Sequence, residues 1–297
     1  MLKYTERLVN NMLERYISEI HEKKLNVHGI NIYHNGNVIF KHYFDENKRY
    51  PIYSATKSFL SAAVGIAEKE KKLSISSPMY EYLTQKQLSL IPKNQLEGFK
   101  SLTIERYLTM SVPSESFRPQ GDNWLEYCLS QQVNYSAKPT FNYSNISAYM
   151  TAAVCENAVG QKLYDYMNSR IFEPSGIENP PYVTSPEGYF NGASGMELTL
   201  DELSRFGTLL LHKGQYRKQQ LIPKEYIEKA ASYKIASPEY GYGYFFWVDK
   251  DFFSVSGKWG QKILVYPQKE LVITYLSDLP ERHEEMLDIA KSIASFL

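Results

Sequence analysis

The chain opens with apolar residues at helical spacing: Leu2, Leu8, Met12, Tyr16 and Ile20 share one face, with charged residues between them. This predicts an amphipathic first helix. The pattern then shortens to a period of two in "HGINIYHNGNVIFKHYF", two β-rich runs around His34, Asn35, Gly36 and Asn37, and an Asn-Gly pair at the turn is a strong hairpin signal. From Phe59 to Ala67 the residues are apolar almost all round, which predicts a helix enclosed by protein. The stretch from about Ser74 to Pro186 is punctuated by prolines and carries little strand pattern, so it reads as loop-rich and helical. One clear helix there runs from about Ser147 to a stop at Gly160. Another begins at Thr199, where Thr199 and Glu202 form a capping box, Asp201 suits the positive end of the dipole, and Gly214 ends the helix. Strand patterns return in "YGYFFWV", "FFSVSGKW", "KILVYP" and "ELVITYL", the last two joined by a turn from Pro267 to Lys269. Met286, Ile289, Ile293 and Leu297 then mark one face of a closing helix.

Strands at both ends with helices between them predict an α+β fold: an antiparallel sheet built from the N- and C-terminal parts, flanked by the terminal helices, with a helical lobe inserted. We read one domain over residues 1–297, with a sheet lobe at about 1–57 and 190–297, a helical lobe at about 58–189, and a cleft between them.

Composition narrows the function classes. At 297 residues and 43% apolar content the chain can bury a full core. Lys and Arg number 33, as do Asp and Glu, so no excess positive charge exists to hold a phosphate backbone or an anionic membrane face; neither nucleic acid nor membrane is an expected partner. Cys128 and Cys155 fit no zinc spacing and are expected to be buried free thiols, and neither a metal nor a cofactor is expected. The N-terminus lacks the apolar core and cleavage site of a signal peptide, and no apolar run approaches the roughly 18 residues of a membrane span, which predicts a cytoplasmic protein. The 25 tyrosines are scattered and are expected to serve packing.

Three short patterns could carry chemistry. Ser54 stands three residues before Lys57, a spacing that puts both side chains on one helical face. Lys57 could take the Ser54 proton if burial kept it neutral; otherwise Ser54 is a helix cap and Lys57 a first-turn surface charge. Tyr143 and Asn145 precede the helix that ends at Gly160. Tyr143 could relay protons if a cation stabilised its phenolate, and Asn145 could bond both Lys57 and a substrate carbonyl; otherwise Asn145 caps the helix and Tyr143 packs under the loop. Lys258 and Gly260 fall at the start of a late strand, where Lys258 is either that cation, a carboxylate anchor or an edge lysine, and Gly260 would let a ligand approach the backbone.

In the order S-x-x-K, Y-x-N, K-x-G, these patterns resemble the serine β-lactamase and penicillin-binding protein superfamily, most closely its class C β-lactamase and family VIII esterase branch. "YSATKSF", "TFNYSN", "ASGMELTLDELSRFGTLLLHKG", "YGYGYFFW" and "GKWGQ" carry the likeness along most of the chain. The resemblance implies Ser54 as acylated nucleophile, Lys57 as its base, Tyr143 as proton relay, Asn145 as positioning group and Lys258 as electrostatic partner. It also implies an oxyanion hole from the backbone N–H groups of Ser54 and Gln261.

Two departures bear on substrate. Trp259 stands where the best-known lactamases have a small hydroxyl residue, and Met110, Ser111, Val112 and Pro113 replace a His-Thr-Ser-Gly-like turn, which leaves the shape of that rim open. The chain is also shorter than typical members. No H-E-x-x-H, G-K-[ST] or G-x-G-x-x-G motif occurs, and "GASGM" around Ser194 is not a nucleophile elbow. The expected activity is a serine hydrolase acting through an acyl-enzyme on a small ester or amide, esters favoured. The alternatives are a β-lactamase, a D-amino-acid peptidase, or a penicillin-recognising protein without turnover.

Overall fold

The computed structural model describes residues 2–113, 115–135, 137–238 and 240–297, with side chains from residue 11 onward, so Leu2 and Leu8 of the first apolar face lie outside the described side chains. Helix α1 (Leu2–Glu22) leads into strands β1 (Val27–His34) and β2 (Asn37–Tyr43). Their hairpin turns at Asn35 and Gly36, both at positive φ, the backbone that a two-residue turn between right-twisted strands demands. The helical region is dominated by α2 (Thr56–Lys69) and α3 (Asn145–Val159), and α4 (Leu200–Leu211) leads back to the sheet. Then come β3 (Ile235–Ala236), β4 (Gly241–Tyr242), β5 (Trp247–Val248), β6 (Phe253–Gly257), β7 (Gln261–Tyr266), β8 (Leu271–Ser277) and α5 (His283–Phe296). One eight-stranded antiparallel sheet results, in the order β2-β1-β8-β7-β6-β5-β4-β3.

Both faces of this sheet are covered, and the period of two in β8 sorts its side chains accordingly. Leu271, Ile273 and Tyr275 pack with Leu13, Ile17 and Ile20 of α1 and Ile289 and Ile293 of α5, whereas Val272 and Leu276 join the larger core on the α4 side. Every residue of β8 is therefore buried. α4 begins at the predicted capping box, with reciprocal Thr199 and Glu202 bonds. α2 is buried from Thr56 to Ala67 and links the two regions, since Phe59 stacks on Phe206 of α4 at 3.7 Å between centroids.

Several boundaries differ from the sequence reading. α3 starts at Asn145 rather than Ser147, because Ser144 is its N-cap, accepting from the Ile146 N–H. "YGYFFWV" is two short strands, β4 and β5, separated by a turn through Phe245 at φ 60°. Lys258 to Gly260 form the turn between β6 and β7, not the start of a strand. Cys128 and Cys155 are free and buried. Among the described residues, no helix is long and apolar enough to cross a membrane, and no group of three or more His, Cys, Asp or Glu could hold a metal ion.

Candidate active site

Ser54 lies in a tight turn, Tyr53–Ala55, that runs directly into α2. Tyr53 enters it at φ 47°, a left-handed backbone that a bulky residue adopts only when its surroundings enforce it. Here the Thr56 hydroxyl donates to the Tyr53 carbonyl at 2.7 Å, and the Ile52 N–H is held by the Met196 carbonyl at 3.0 Å. The N-cap position of α2 is Ala55 and no side chain caps it, so Ser54 is not a helix cap.

Lys57, the second residue of α2, is only 1% exposed. Its Nζ is bonded to Ser54 Oγ at 3.1 Å, Asn145 Oδ1 at 2.9 Å and the Ala193 carbonyl at 2.7 Å. No carboxylate contributes to the shift of this amine, and burial alone lowers its pKa from 10.5 to about 7. The surface-charge alternative for Lys57 is thereby removed. Asn145 opens α3 with its side chain on Lys57 while Ser144 performs the capping, so Asn145 is not the cap either.

The Tyr143 hydroxyl faces the Ser54 side chain, and Lys57 Nζ lies 5.1 Å from the centroid of the Tyr143 ring. Burial pushes the Tyr143 pKa up to about 12, the Ser54 side chain offsetting only part of that. The phenolate considered from sequence is therefore disfavoured, and Tyr143 is a neutral phenol at ordinary pH. Trp247 stacks on its ring at 5.9 Å and 19°, and Tyr242 meets it edge-on.

Lys258 is exposed and turned onto the neighbouring indole, Nζ 4.2 Å from the Trp259 ring, and is not among the groups that act on the Tyr143 phenol. Trp259, at φ 63°, packs edge-on against Tyr53 at 5.2 Å. Gly260 has a reason other than ligand approach: it turns at φ 90°, and a Cβ there would meet Ser277 Oγ at 2.2 Å. Gln261 opens β7 opposite Gly257, its side-chain amide donating to the Ser277 carbonyl. A Cβ on Gly257 would lie 2.2 Å from the Ile52 carbonyl, so this end of the hairpin is pressed against the segment that carries Ser54.

Sequence reasoning missed two contributors, the Ala193 carbonyl and Trp247. Ala193 supplies an acceptor to Lys57 from the "GASGM" stretch, whose signal was its pair of glycines: Gly192 and Gly195 both have positive φ, and a Cβ on Gly192 would meet Ala152 and the Ala148 carbonyl within 2.9 Å. Trp247 gave no signal beyond a β-rich run. Met110, Ser111 and Val112, expected at a rim, are buried beneath the Tyr143 loop, where the Met110 carbonyl accepts the Asn142 N–H at 2.7 Å.

Solved structures with the same architecture include a class C β-lactamase in complex with cefoxitin, 15% identical with a TM-score of 0.76, covering 99% of this chain and 100% of that one. The octameric penicillin-binding protein homologue from Pyrococcus abyssi is 21% identical with a TM-score of 0.69, over 93% of this chain and 77% of that one. A penicillin-binding protein from Bacillus halodurans is 15% identical with a TM-score of 0.71, over 95% of this chain and all of the other. At these identities the likeness establishes the fold. Comparison with curated proteins gave no match. The family model for Beta-lactamase matches residues 13–297, nearly the whole sequence, and the chain accordingly belongs to the Beta-lactamase family of serine hydrolases.

Proposed function

We propose that this protein hydrolyses small esters through an acyl-enzyme on Ser54. The observation that carries the reading is the set of partners around Lys57 Nζ. Two of them, Asn145 Oδ1 and the Ala193 carbonyl, only accept; the third is the Ser54 hydroxyl. A neutral amine has two N–H groups for the two acceptors and one lone pair, which then faces the Ser54 proton. With a pKa near 7 that neutral form is well populated at ordinary pH.

In the proposed reaction Lys57 takes the Ser54 proton as Oγ bonds the substrate carbonyl carbon. The oxyanion is held by the N–H groups of Ser54 and Gln261, preorganised donors of the kind that usually contribute most to such catalysis. Collapse breaks the bond to the leaving alcohol, which receives a proton from Tyr143, and Tyr143 regains one from Lys57. Water then attacks the acyl-enzyme with the same groups in reverse, releasing the acid and restoring the Ser54 hydroxyl.

Esters are favoured over β-lactams because Trp259 replaces the small hydroxyl beside the lysine, and Lys258 rests on that indole instead of a hydrogen-bonding partner. An ester needs no carboxylate clamp. A panel of p-nitrophenyl acetate and butyrate, a chromogenic cephalosporin, a linear amide and a D-alanyl peptide tests this. The esters are expected to give the highest kcat/KM; a higher value for the cephalosporin would favour a lactamase.

A further inference from the structure

A buried carboxyl underlies the Tyr143–Asn145 loop and has no part in the chemistry above. Glu115 is 8% exposed, and one of its oxygens accepts from Ser147 Oγ at 2.5 Å. The Ser144 side chain and the Ser147 N–H also favour its ionised form. Ser144 and Ser147 are the N-cap and third residue of α3, so the carboxylate sits at the N-terminus of a 15-residue helix, where orphan N–H groups and the dipole favour negative charge.

The neighbours of Glu115 bind the same loop. The Glu115 and Val112 carbonyls each accept from Asn142 Nδ2 at 3.1 Å, Ser116 accepts from the Ser144 hydroxyl at 2.8 Å, and Phe117 from the Asn145 N–H at 2.6 Å. Tyr143 and Asn145 thus emerge from a loop tied down on both sides, with the Glu115 carboxyl at its centre. We infer that Glu115 is a positioning residue whose ionised carboxylate fixes the start of α3, and with it the contacts of Tyr143 to Ser54 and of Asn145 to Lys57.

The Ser147 hydroxyl donates to a Glu115 oxygen, which matches an acceptor-only carboxylate. Burial opposes ionisation and pushes the Glu115 pKa up to about 7. The titratable groups facing it are Tyr107 and Cys128, both kept neutral by burial, and Arg106 is turned onto Ser111. Among the described residues no cation offsets that burial. Between about pH 5 and 9, Glu115 is therefore the group in this cluster that changes charge.

The inference rests on the Ser54–Lys57 reading and is tested by the pH dependence of ester kcat/KM. Protonation of Lys57 should abolish activity and protonation of Glu115 should lower it about tenfold, so log kcat/KM falls with a slope above 1 where the two titrate together in the wild type. Glu115→Gln keeps an acceptor but cannot ionise, and it should reduce the slope to about 1 and lower kcat about tenfold at pH 8. Should Glu115→Gln fold poorly, Ser147→Ala gives a second reading: losing one donor to the carboxylate should move the acid limb up by about one pH unit. That shift should vanish in the Glu115→Gln background. Wild-type slope and rate in Glu115→Gln, or an unmoved limb in Ser147→Ala, overturns the inference and leaves the Ser54–Lys57 reading standing. A wild-type rate in Lys57→Ala overturns both.

Discussion

Lys57 is where the chemistry and the stability of this protein meet. Holding a lysine at a pKa of about 7 means that folding disfavours its charged form by roughly 5 kcal/mol. The sign follows from proton counts: between about pH 7 and 10.5 the unfolded chain holds the proton and the folded one does not. The stability contributed by neutral Lys57 is thus complete above its unfolded pKa and is lost progressively as pH falls from 10.5 to about 7, with no further loss below. Lys57→Met should accordingly gain stability relative to wild type as pH drops from 10.5 to 7, seen as a growing difference in denaturation midpoint, while turnover falls at least ~100-fold. Equal pH dependence in the two proteins would mean that Lys57 is not desolvated. Tyr143 separates the two effects differently. Its ring stacks on Trp247 and only its hydroxyl reaches Ser54, so Tyr143→Phe should lower kcat by about 100-fold with little change in stability. Paired kinetics and denaturation curves check this.

The elements show why Ser54 sits where it does. β6 ends at Gly257 against the Ile52 carbonyl, and a side chain there would press on that backbone oxygen first, at 2.2 Å. Gly257→Ala should displace the Tyr53–Ala55 turn, destabilise by about 1–3 kcal/mol and slow Ser54 acylation by tenfold or more, measured by denaturation and by labelling rate. Thr199→Ala is the contrast: it removes a cap of α4 far along the chain, and should cost about 1 kcal/mol while leaving turnover unchanged. The capping box, the Asn35-Gly36 hairpin and the enclosed α2 were legible in the sequence because each is a local preference written in a few adjacent residues. The order of Ser54, Lys57, Tyr143 and Asn145 was legible through resemblance. What stayed hidden was non-local or carried by the backbone: the Ala193 carbonyl beneath Lys57, Trp247 on the Tyr143 ring, and the burial of Met110 and Ser111. No side-chain pattern distinguishes a carbonyl that meets an amine from any other. The position of Lys258 differed for a simpler reason, since the β6–β7 turn takes up Lys258 to Gly260 and leaves the amine over Trp259.

Across the whole molecule, the two-faced sheet and the helices around α2 bring a serine, an amine and a phenol together, while the chain is electrically balanced, with 33 basic and 33 acidic residues. That balance gives no long-range field to gather a polyanion and agrees with a small-molecule substrate. The central claim is that Ser54 is the one activated hydroxyl in the chain. Intact-mass analysis after treatment with a fluorophosphonate tests it most directly. The account predicts a single covalent adduct on the wild type, mapped to Ser54, formed at least ~100-fold more slowly in Lys57→Ala and absent from Ser54→Ala. An adduct that persists in Ser54→Ala at the wild-type rate would contradict it.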